Sequence, residues 1–99
     1  MNLKSEKFII SILNIVIMVQ MVEAFIFITT EIGKLNEVYD NIKQLDFVKR
    51  INTITGPYDI VALFESEDIS NLRKSVIENI RGLEGIKDTT TAIIIEVRD

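Results

Sequence analysis

From residue 22 onward, apolar and polar residues recur with two different periods along the chain. The stretches 22–29, 47–55 and 59–65 are rich in β-branched and aromatic residues, and so is 89–97. These residue types favour extended backbone, so each stretch is predicted to form a strand. Residues 34–45 instead place apolar side chains three or four positions apart. That spacing predicts an amphipathic helix between the first two strands.

A second helix is predicted between the third and fourth strands, from Asp68 to Arg81. Asp68 is of the residue type that caps a helix N-terminus, and Gly82 and Gly85 follow the last helical residues. Apolar residues at helical spacing form the predicted inner stripe: Ile69, Leu72, Val76 and Ile80.

The resulting order, β-α-β-β-α-β, predicts an α+β, ferredoxin-like fold with an antiparallel sheet and two helices on one face. Two similar segments support this order, NIKQLDFVKR at 41–50 and NIRGLEGIKD at 79–88, because each joins a helix end to a strand. The first and third strands are the most apolar and should be central. Numbered in chain order, the strands are therefore expected in the sheet order 4-1-3-2.

The sheet face away from the helices also carries apolar residues and needs a cover, since large exposed apolar patches are rare on monomers. A second copy packing sheet to sheet is the simplest cover, giving a dimeric α/β barrel-like arrangement. Phe25, Phe27 and Ile95 are candidate contributors. The apolar N-terminal segment is the alternative cover.

Residues 1–20 differ from the rest of the chain, with a short basic start and an apolar run from Phe8 to Val19. This run resembles the apolar core of a signal peptide and is shorter than a membrane span of about 20 residues. A signal peptide and a membrane anchor both remain open. The favoured interpretation is a dispensable appended segment, with a helix as one conformation, before a domain over residues 21–99. A translation start at Met21 would yield that complete domain, and no membrane association is expected.

The composition excludes several kinds of chemistry. The 99 residues include no Cys and no His, which removes disulfides, thiolate metal sites and the usual nucleophilic triads. No metal, cofactor or catalytic residue is therefore expected. The formal net charge is −4, and the basic residues are dispersed, so the electrostatic footprint of a nucleic-acid-binding protein is absent.

Two polar segments remain as candidate ligand sites, a Gly-Pro-Tyr-Asp turn and an Asp-Thr-Thr-Thr run at the start of the last strand. Gly56 permits unusual backbone angles, and Tyr58 offers a flat wall with a hydroxyl. Asp59 can pair with an ammonium group, while the threonine hydroxyls and exposed backbone N–H groups of the run at 88–91 can hold a carboxylate. Together they have the parts of an amino-acid clamp, although a purely structural role for these turn and strand residues remains open.

The stretch TGPYDIVALFESEDISNLRKSVIENIRGLEGIKDTTTAIIIE resembles the C-terminal effector-binding half of Lrp/AsnC transcription regulators. That half is the regulation-of-amino-acid-metabolism (RAM) domain. The matching features are T-G-x-[YF]-D before an apolar strand, a D-[IL]-x-x-[LF] helix start, G-[VI] after the second helix, and T-x-T in the last strand. VEAFIFITTEIGK resembles the usual opening of the domain, so the likeness covers about residues 22–97.

The resemblance implies a regulatory module that binds an amino-acid effector and lacks the family's DNA-binding half. It implies sheet-on-sheet dimers that form tetramers of dimers, with the effector at the contact between dimers. Such a module would act in the cytoplasm through full-length Lrp/AsnC regulators rather than by direct contact with nucleic acid. By position, the resemblance assigns the ligand contacts to Gly56, Tyr58, Asp59, Thr89 and Thr91.

Two residues depart from the family pattern. Pro57 replaces a polar residue and removes a backbone N–H donor from the turn, and Phe47 stands where a glycine is usual. A purely structural assembly protein with a vestigial site is therefore the alternative function. A small ferredoxin-like enzyme is a further alternative, which rests on fold analogy alone.

Overall fold

The computed structural model describes the backbone of residues 7–12 and 15–95, and side chains within residues 21–95. Strands β1 (Lys7–Ile12) and β2 (Ile15–Gln20) pair antiparallel in a two-stranded sheet of their own. The helical conformation considered for residues 1–20 is therefore wrong for residues 7–12 and 15–20. Their many Ile and Val residues favour extended backbone because branching at Cβ restricts the side chain in a helix.

Four strands and two helices follow in the predicted order. The strands are β3 (Val22–Thr30), β4 (Val48–Thr53), β5 (Ile60–Ser66) and β6 (Ile86–Ile94). Helix α1 is Leu35–Lys43, and helix α2 covers residues 69–81 as α-helical Ile69–Asn71, π-helical Leu72–Ile77 and α-helical Glu78–Arg81. The antiparallel sheet order is β4-β5-β3-β6, which confirms both the predicted 4-1-3-2 order and the ferredoxin-like α+β fold. Among the residues described, no helix has the length and apolar character to cross a membrane.

The core lies between the helices and the two central strands, β3 and β5. Alternate residues of each strand point toward the helices and are buried, as the period of two in a strand requires. The fully buried apolar residues are Ala24, Ile26, Ile28, Val38, Ile42, Ile60, Ala62, Phe64, Leu72, Val76 and Ile80. This core holds β3 in the middle of the sheet, so loops that are hydrogen-bonded to the ends of β3 are held in a defined position.

Helix α2 begins as predicted but has a different inner face. The Asp68 carboxylate accepts a hydrogen bond from the Asn71 backbone N–H at 2.7 Å, which confirms the N-cap. Ile69, predicted in the inner stripe, is instead 50% exposed. The wider turns of the π-helical stretch favour residues four or five apart on one face, and Leu72 lies only three residues after Ile69.

Strand β6 begins at Ile86, three residues before the predicted start at Thr89. Ile86 pairs with Thr30 across a register shift in β3, and the Glu31 N–H donates to the Gly85 carbonyl at 2.8 Å. The half-buried side chain of Ile86 packs against the core, which explains the earlier start. The threonine run therefore lies within the strand rather than at its first residue.

Candidate functional site

The Gly-Pro-Tyr-Asp turn is fastened to the end of the central strand β3. The Asp59 N–H donates to the Ile28 carbonyl, and the Ile54 N–H donates to the Asp59 carbonyl, both at 2.9 Å. Gly56 has φ +104°, and among the described residues beyond its two chain neighbours no atom lies within 4 Å of the position where its Cβ would be. Glycine is thus required here by the backbone angle, as predicted, and not by lack of space.

Asp59 has a structural contact that its residue type alone could not reveal. Its Oδ2 atom accepts hydrogen bonds from the N–H of Thr30 at 2.8 Å and from the Thr30 hydroxyl at 3.3 Å. Within the described part of the chain, no hydrogen bond reaches Oδ1. A carboxylate offers about four acceptor positions. Asp59 can therefore hold the turn against β3 and still accept a further donor.

Tyr58 reaches across the sheet face that points away from the helices. Its ring centroid lies 5.3 Å from that of Phe27 on β3, with the two rings tilted by 44°. Its hydroxyl donates to the Thr90 hydroxyl of β6 at 3.3 Å. Tyr58 thereby links the turn before β5 with the strand on the other side of β3. Its half-buried ring forms an aromatic wall, and the hydroxyl groups of Tyr58 and Thr90 lie beside that wall.

The three threonines of β6 do not share one face. Thr89 pairs with the buried residue Ile28, so Thr89 and Thr91 point to the helix side of the sheet. Thr90 points to the opposite side and contacts Tyr58. The structure therefore brings Gly56, Tyr58 and Asp59 together in one turn but does not bring Thr89 or Thr91 beside Tyr58. Thr90 was missed by sequence reasoning, and the alternation along a strand is the signal that could have indicated it.

A groove of about 120 Å³ lies on the helix side, where α2 ends and β6 begins. Its lining residues are Arg81, Ile86, Lys87, Asp88 and Thr89. Thr89 thus faces a groove lined by the cationic side chains of Arg81 and Lys87 and by one carboxylate, and neither cation was expected at the site. A basic last turn before a threonine run is the pattern that could have indicated them, because cations attract a carboxylate.

The sheet surface away from the helices is called the open face. Four residues of the central strands form its apolar centre: Phe25, Phe27, Val61 and Leu63. Phe25 is 37% exposed, and its ring lies 6.4 Å from that of Phe27. Ile95, the third candidate for this face, is 91% exposed and lies just beyond the end of β6.

A cluster of charged residues lies at the end of the open face opposite the turn. Glu23 and Glu65 are direct cross-strand partners on β3 and β5. The ammonium group of Lys49 lies 3.0 Å from Oε2 of Glu23. Burial raises the pKa of Glu23 above its usual value, and the nearby Glu65 charge raises it further. Desolvation and the Glu65 charge together therefore outweigh the stabilising ion pair with Lys49. Among the described residues, no group of three or more His, Cys, Asp or Glu residues could hold a metal ion.

Comparisons with known proteins match most of the chain. A family model described as the Lrp/AsnC ligand binding domain matches residues 23–98. An uncharacterised HTH-type transcriptional regulator of Pyrococcus abyssi is 29% identical over 75 residues, 76% of this chain and 48% of the regulator. The chain therefore spans about half the length of this curated relative.

Two further comparisons come from an enzyme and from a solved structure. A homocitrate synthase of Sulfolobus acidocaldarius is 35% identical over 55 residues, 56% of this chain but only 12% of the enzyme. A crystal structure from Thermus thermophilus superposes with a TM-score of 0.73 at 29% identity, covering 79% of this chain and 98% of that chain. The fold of that protein is thus almost wholly the fold described above.

Proposed function

Because the chain belongs to the Lrp/AsnC ligand binding domain family, we propose that it is a regulatory module that binds an amino-acid effector. The family is regulatory rather than enzymatic. The related homocitrate synthase shares only 12% of its length with this chain, so the likeness does not extend to a whole enzyme. We propose that the module influences transcription in the cytoplasm by assembling, with itself and with full-length regulators of the family, and carries out no catalysis.

One observation carries the proposed amino-acid ligand: a firmly placed carboxylate adjoins hydroxyls and an aromatic wall at one end of the sheet. Asp59 is fixed by Thr30 but retains acceptor capacity at Oδ1, which suits an ammonium group. Tyr58 provides a wall for the effector side chain, and its hydroxyl and that of Thr90 suit a carboxylate. Gly56 shapes the turn that presents them.

Thr89 and Thr91 remain part of the proposed site, but they belong to the opposite face of β6. No single face of one chain presents these two threonines together with Tyr58. We therefore propose that one chain supplies Gly56, Tyr58 and Asp59, and that another chain supplies Thr89 and Thr91. This arrangement agrees with the effector position that the family resemblance implies, at the contact between dimers.

The proposed dimer covers the apolar centre of the open face with the same surface of a second copy, and it leaves the end of the face at Tyr58 and Thr90 outside this contact. The apolar centre at Phe25, Phe27, Val61 and Leu63 favours such a cover, because burying apolar surface is the main driving force of association. Tetramers of dimers would then form through other surfaces, which would include the turn. Sedimentation equilibrium at micromolar concentration tests the dimer, and a stable folded monomer would contradict it.

The site is tested by titrating amino acids into the wild type and two variants. A thermal-shift panel first identifies the amino acid that stabilises the protein most, and calorimetry then measures its affinity. Asp59→Asn keeps an acceptor for the Thr30 N–H but removes the charge. A charged hydrogen bond contributes about 1.5–3 kcal/mol, so we expect binding to weaken by roughly 10- to 150-fold.

Thr30→Val is the matched control, because it removes one hydrogen bond to Asp59 and leaves the carboxylate in place. We expect it to lower the melting temperature slightly and to preserve most of the ligand affinity. If Asp59→Asn binds as tightly as the wild type, the proposed role of Asp59 is wrong.

A specific observation favours a second candidate function, a structural assembly protein with a vestigial site. Pro57 offers no backbone N–H, and Oδ2 of Asp59 is already occupied by Thr30. In that case no amino acid in the panel would shift the melting temperature, while the dimer would still form.

A further inference from the structure

We propose that Glu65 forms an ion pair with Arg50 of a second copy of this chain. Each open face would then supply both the anion and the cation that the facing copy needs. The inference rests on the proposed sheet-on-sheet dimer and specifies how its two faces are held in register. It concerns the end of the sheet opposite the candidate ligand site.

The first step is the state of Glu65 in the single chain. Its Oε2 atom is buried and has no hydrogen-bond partner among the described residues. Three charged residues face it from the adjacent strands: Glu23 on β3, and Lys49 and Arg50 on β4. Glu23 repels it, and the Lys49 ammonium group lies 3.0 Å from Oε2 of Glu23. A buried carboxylate oxygen without a partner is costly, and the cost grows when a cover excludes more water.

The second step is the position of Arg50. It pairs with Leu63, an open-face residue, so its side chain lies on the open face one pair along from Glu65. The side chain is exposed, and within the part of the chain described here its guanidinium makes no hydrogen bond or ion pair. A guanidinium group matches the planar carboxylate with two parallel hydrogen bonds. Arg50 is thus an exposed cation that is available to a second copy covering the open face.

The third step is symmetry. In a dimer with a two-fold axis, each contact between two different residues occurs twice, once in each direction. The face therefore needs both members of every charge pair. Among the described residues it has them, because the Glu65 carboxylate and the Arg50 guanidinium both lie on this face and neither makes an ion pair with a described residue. An apolar centre alone would allow the sheets to slide or rotate. Two symmetric ion pairs at the rim would select one arrangement.

The test uses the charge reversals Arg50→Glu and Glu65→Arg, each measured alone and then mixed in equal amounts. Sedimentation equilibrium gives the dimer dissociation constant, and circular dichroism verifies folding. Each single reversal brings like charges together in its own homodimer, and we expect dissociation constants to rise by roughly 10- to 100-fold. In the mixed heterodimer every pair is attractive again, so wild-type affinity should return.

Net charge cannot explain that return, because the chain carries −4 and both reversed chains remain negative. Arg73→Glu and Glu37→Arg are matched controls, since both residues are exposed on the helices. We expect neither to weaken the dimer, nor their mixture to strengthen it.

Neutral variants provide a second measurement if a reversed chain fails to fold. Arg50→Gln and Glu65→Gln should each weaken the dimer, and the double variant should lose little more than either one, because both remove the same pair. A dimer unaffected by any of these changes, or reversals that mixing does not rescue, would overturn the inference while leaving amino-acid binding intact. A monomeric wild type would overturn both the inference and the proposed dimer, and would favour residues 1–20 as the cover.

Discussion

At the scale of single residues, Gly85 shows two separate requirements for glycine. Its φ is +92°, in the region that side chains disfavour, and it is buried in the loop before β6. A Cβ placed there would lie 3.0 Å from both Lys34 Cβ and Val38 Cγ2. The equivalent position in the similar segment holds Phe47, whose ring packs 5.8 Å from that of Phe64. The two helix-to-strand connections therefore differ at this position: one needs a glycine without a side chain, and the other packs a phenylalanine ring against the core.

We expect Gly85→Ala to lower the free energy of unfolding by about 2–4 kcal/mol, since backbone strain and overpacking act together. Gly82→Ala is the matched control. Gly82 has φ −83°, and its Cβ would lie 3.5 Å from the Glu78 carbonyl oxygen, the nearest atom found in the described part of the chain. That variant should be neutral or more stable by up to about 1 kcal/mol. Urea denaturation measures both, and equal stabilities would contradict the strain argument.

The candidate site was only partly predictable at this scale, and the reason lies in the pattern of β6. The turn signal is local, so Gly56 and Asp59 could be placed from neighbouring residues. The run TTTAIII has no alternation of polar and apolar residues, and it therefore gives no information about which face each threonine takes. Only the pairing of Thr89 with Ile28 decides that Thr90 meets Tyr58.

At the scale of elements, helices and strands with a clear apolar periodicity were predicted from the sequence. Elements whose conformation depends on packing against other parts of the chain were not. The helices and central strands follow the apolar pattern closely. The hairpin of β1 and β2 was not predicted, because a continuous apolar run is compatible with either a helix or a strand. The π-helical stretch of α2 was also not predicted, since its residues have ordinary helix propensity.

We expect a chain that begins at Met21 to keep the four-stranded fold, with a stability within about 1 kcal/mol of the full chain. Within residues 21–95, whose side-chain burial the structure describes, the fully buried apolar residues run from Ala24 to Ile80 and form one core between the sheet and the helices. The hairpin is not paired with the four-stranded sheet in the described residues. Thermal denaturation and circular dichroism measure the change.

A chain that begins at Ile26 is the control for this deletion. It loses Ala24 and the first pairs between β3 and its two neighbours. We expect that shorter chain to unfold, because the central strand loses both packing and hydrogen bonds. Unfolding of the chain that begins at Met21 would show that residues 1–20 belong to the domain.

At the scale of the whole molecule, the fold followed from element order and from the two most apolar strands, which can satisfy their burial only in the centre of the sheet. The dimer and its geometry do not follow in the same way. They depend on the shape and charge of a surface formed by residues from all four strands. These residues are distant in the sequence, so no local pattern of residue types predicts that surface.

The charge balance of the whole chain also predicts that it does not bind DNA by itself. The net charge of −4 opposes a phosphate backbone, and the two helices of the described fold cover the sheet. In a gel-shift assay at low salt, we expect no retarded band at micromolar protein. A full-length HTH-type regulator of the family serves as the positive control. Salt-sensitive retardation by this chain alone would refute the prediction.

The central place of β3 also governs the order in which the molecule can be made. Glu23, near the start of β3, pairs with Ile94, at the end of β6, so the closing contacts join opposite ends of the domain. Closing such distant contacts carries a large entropic cost and slows folding. A chain emerging from the ribosome can pair β3 with β5 early, but one edge of β3 stays open until β6 emerges. Completion of the sheet must therefore await the synthesis of β6.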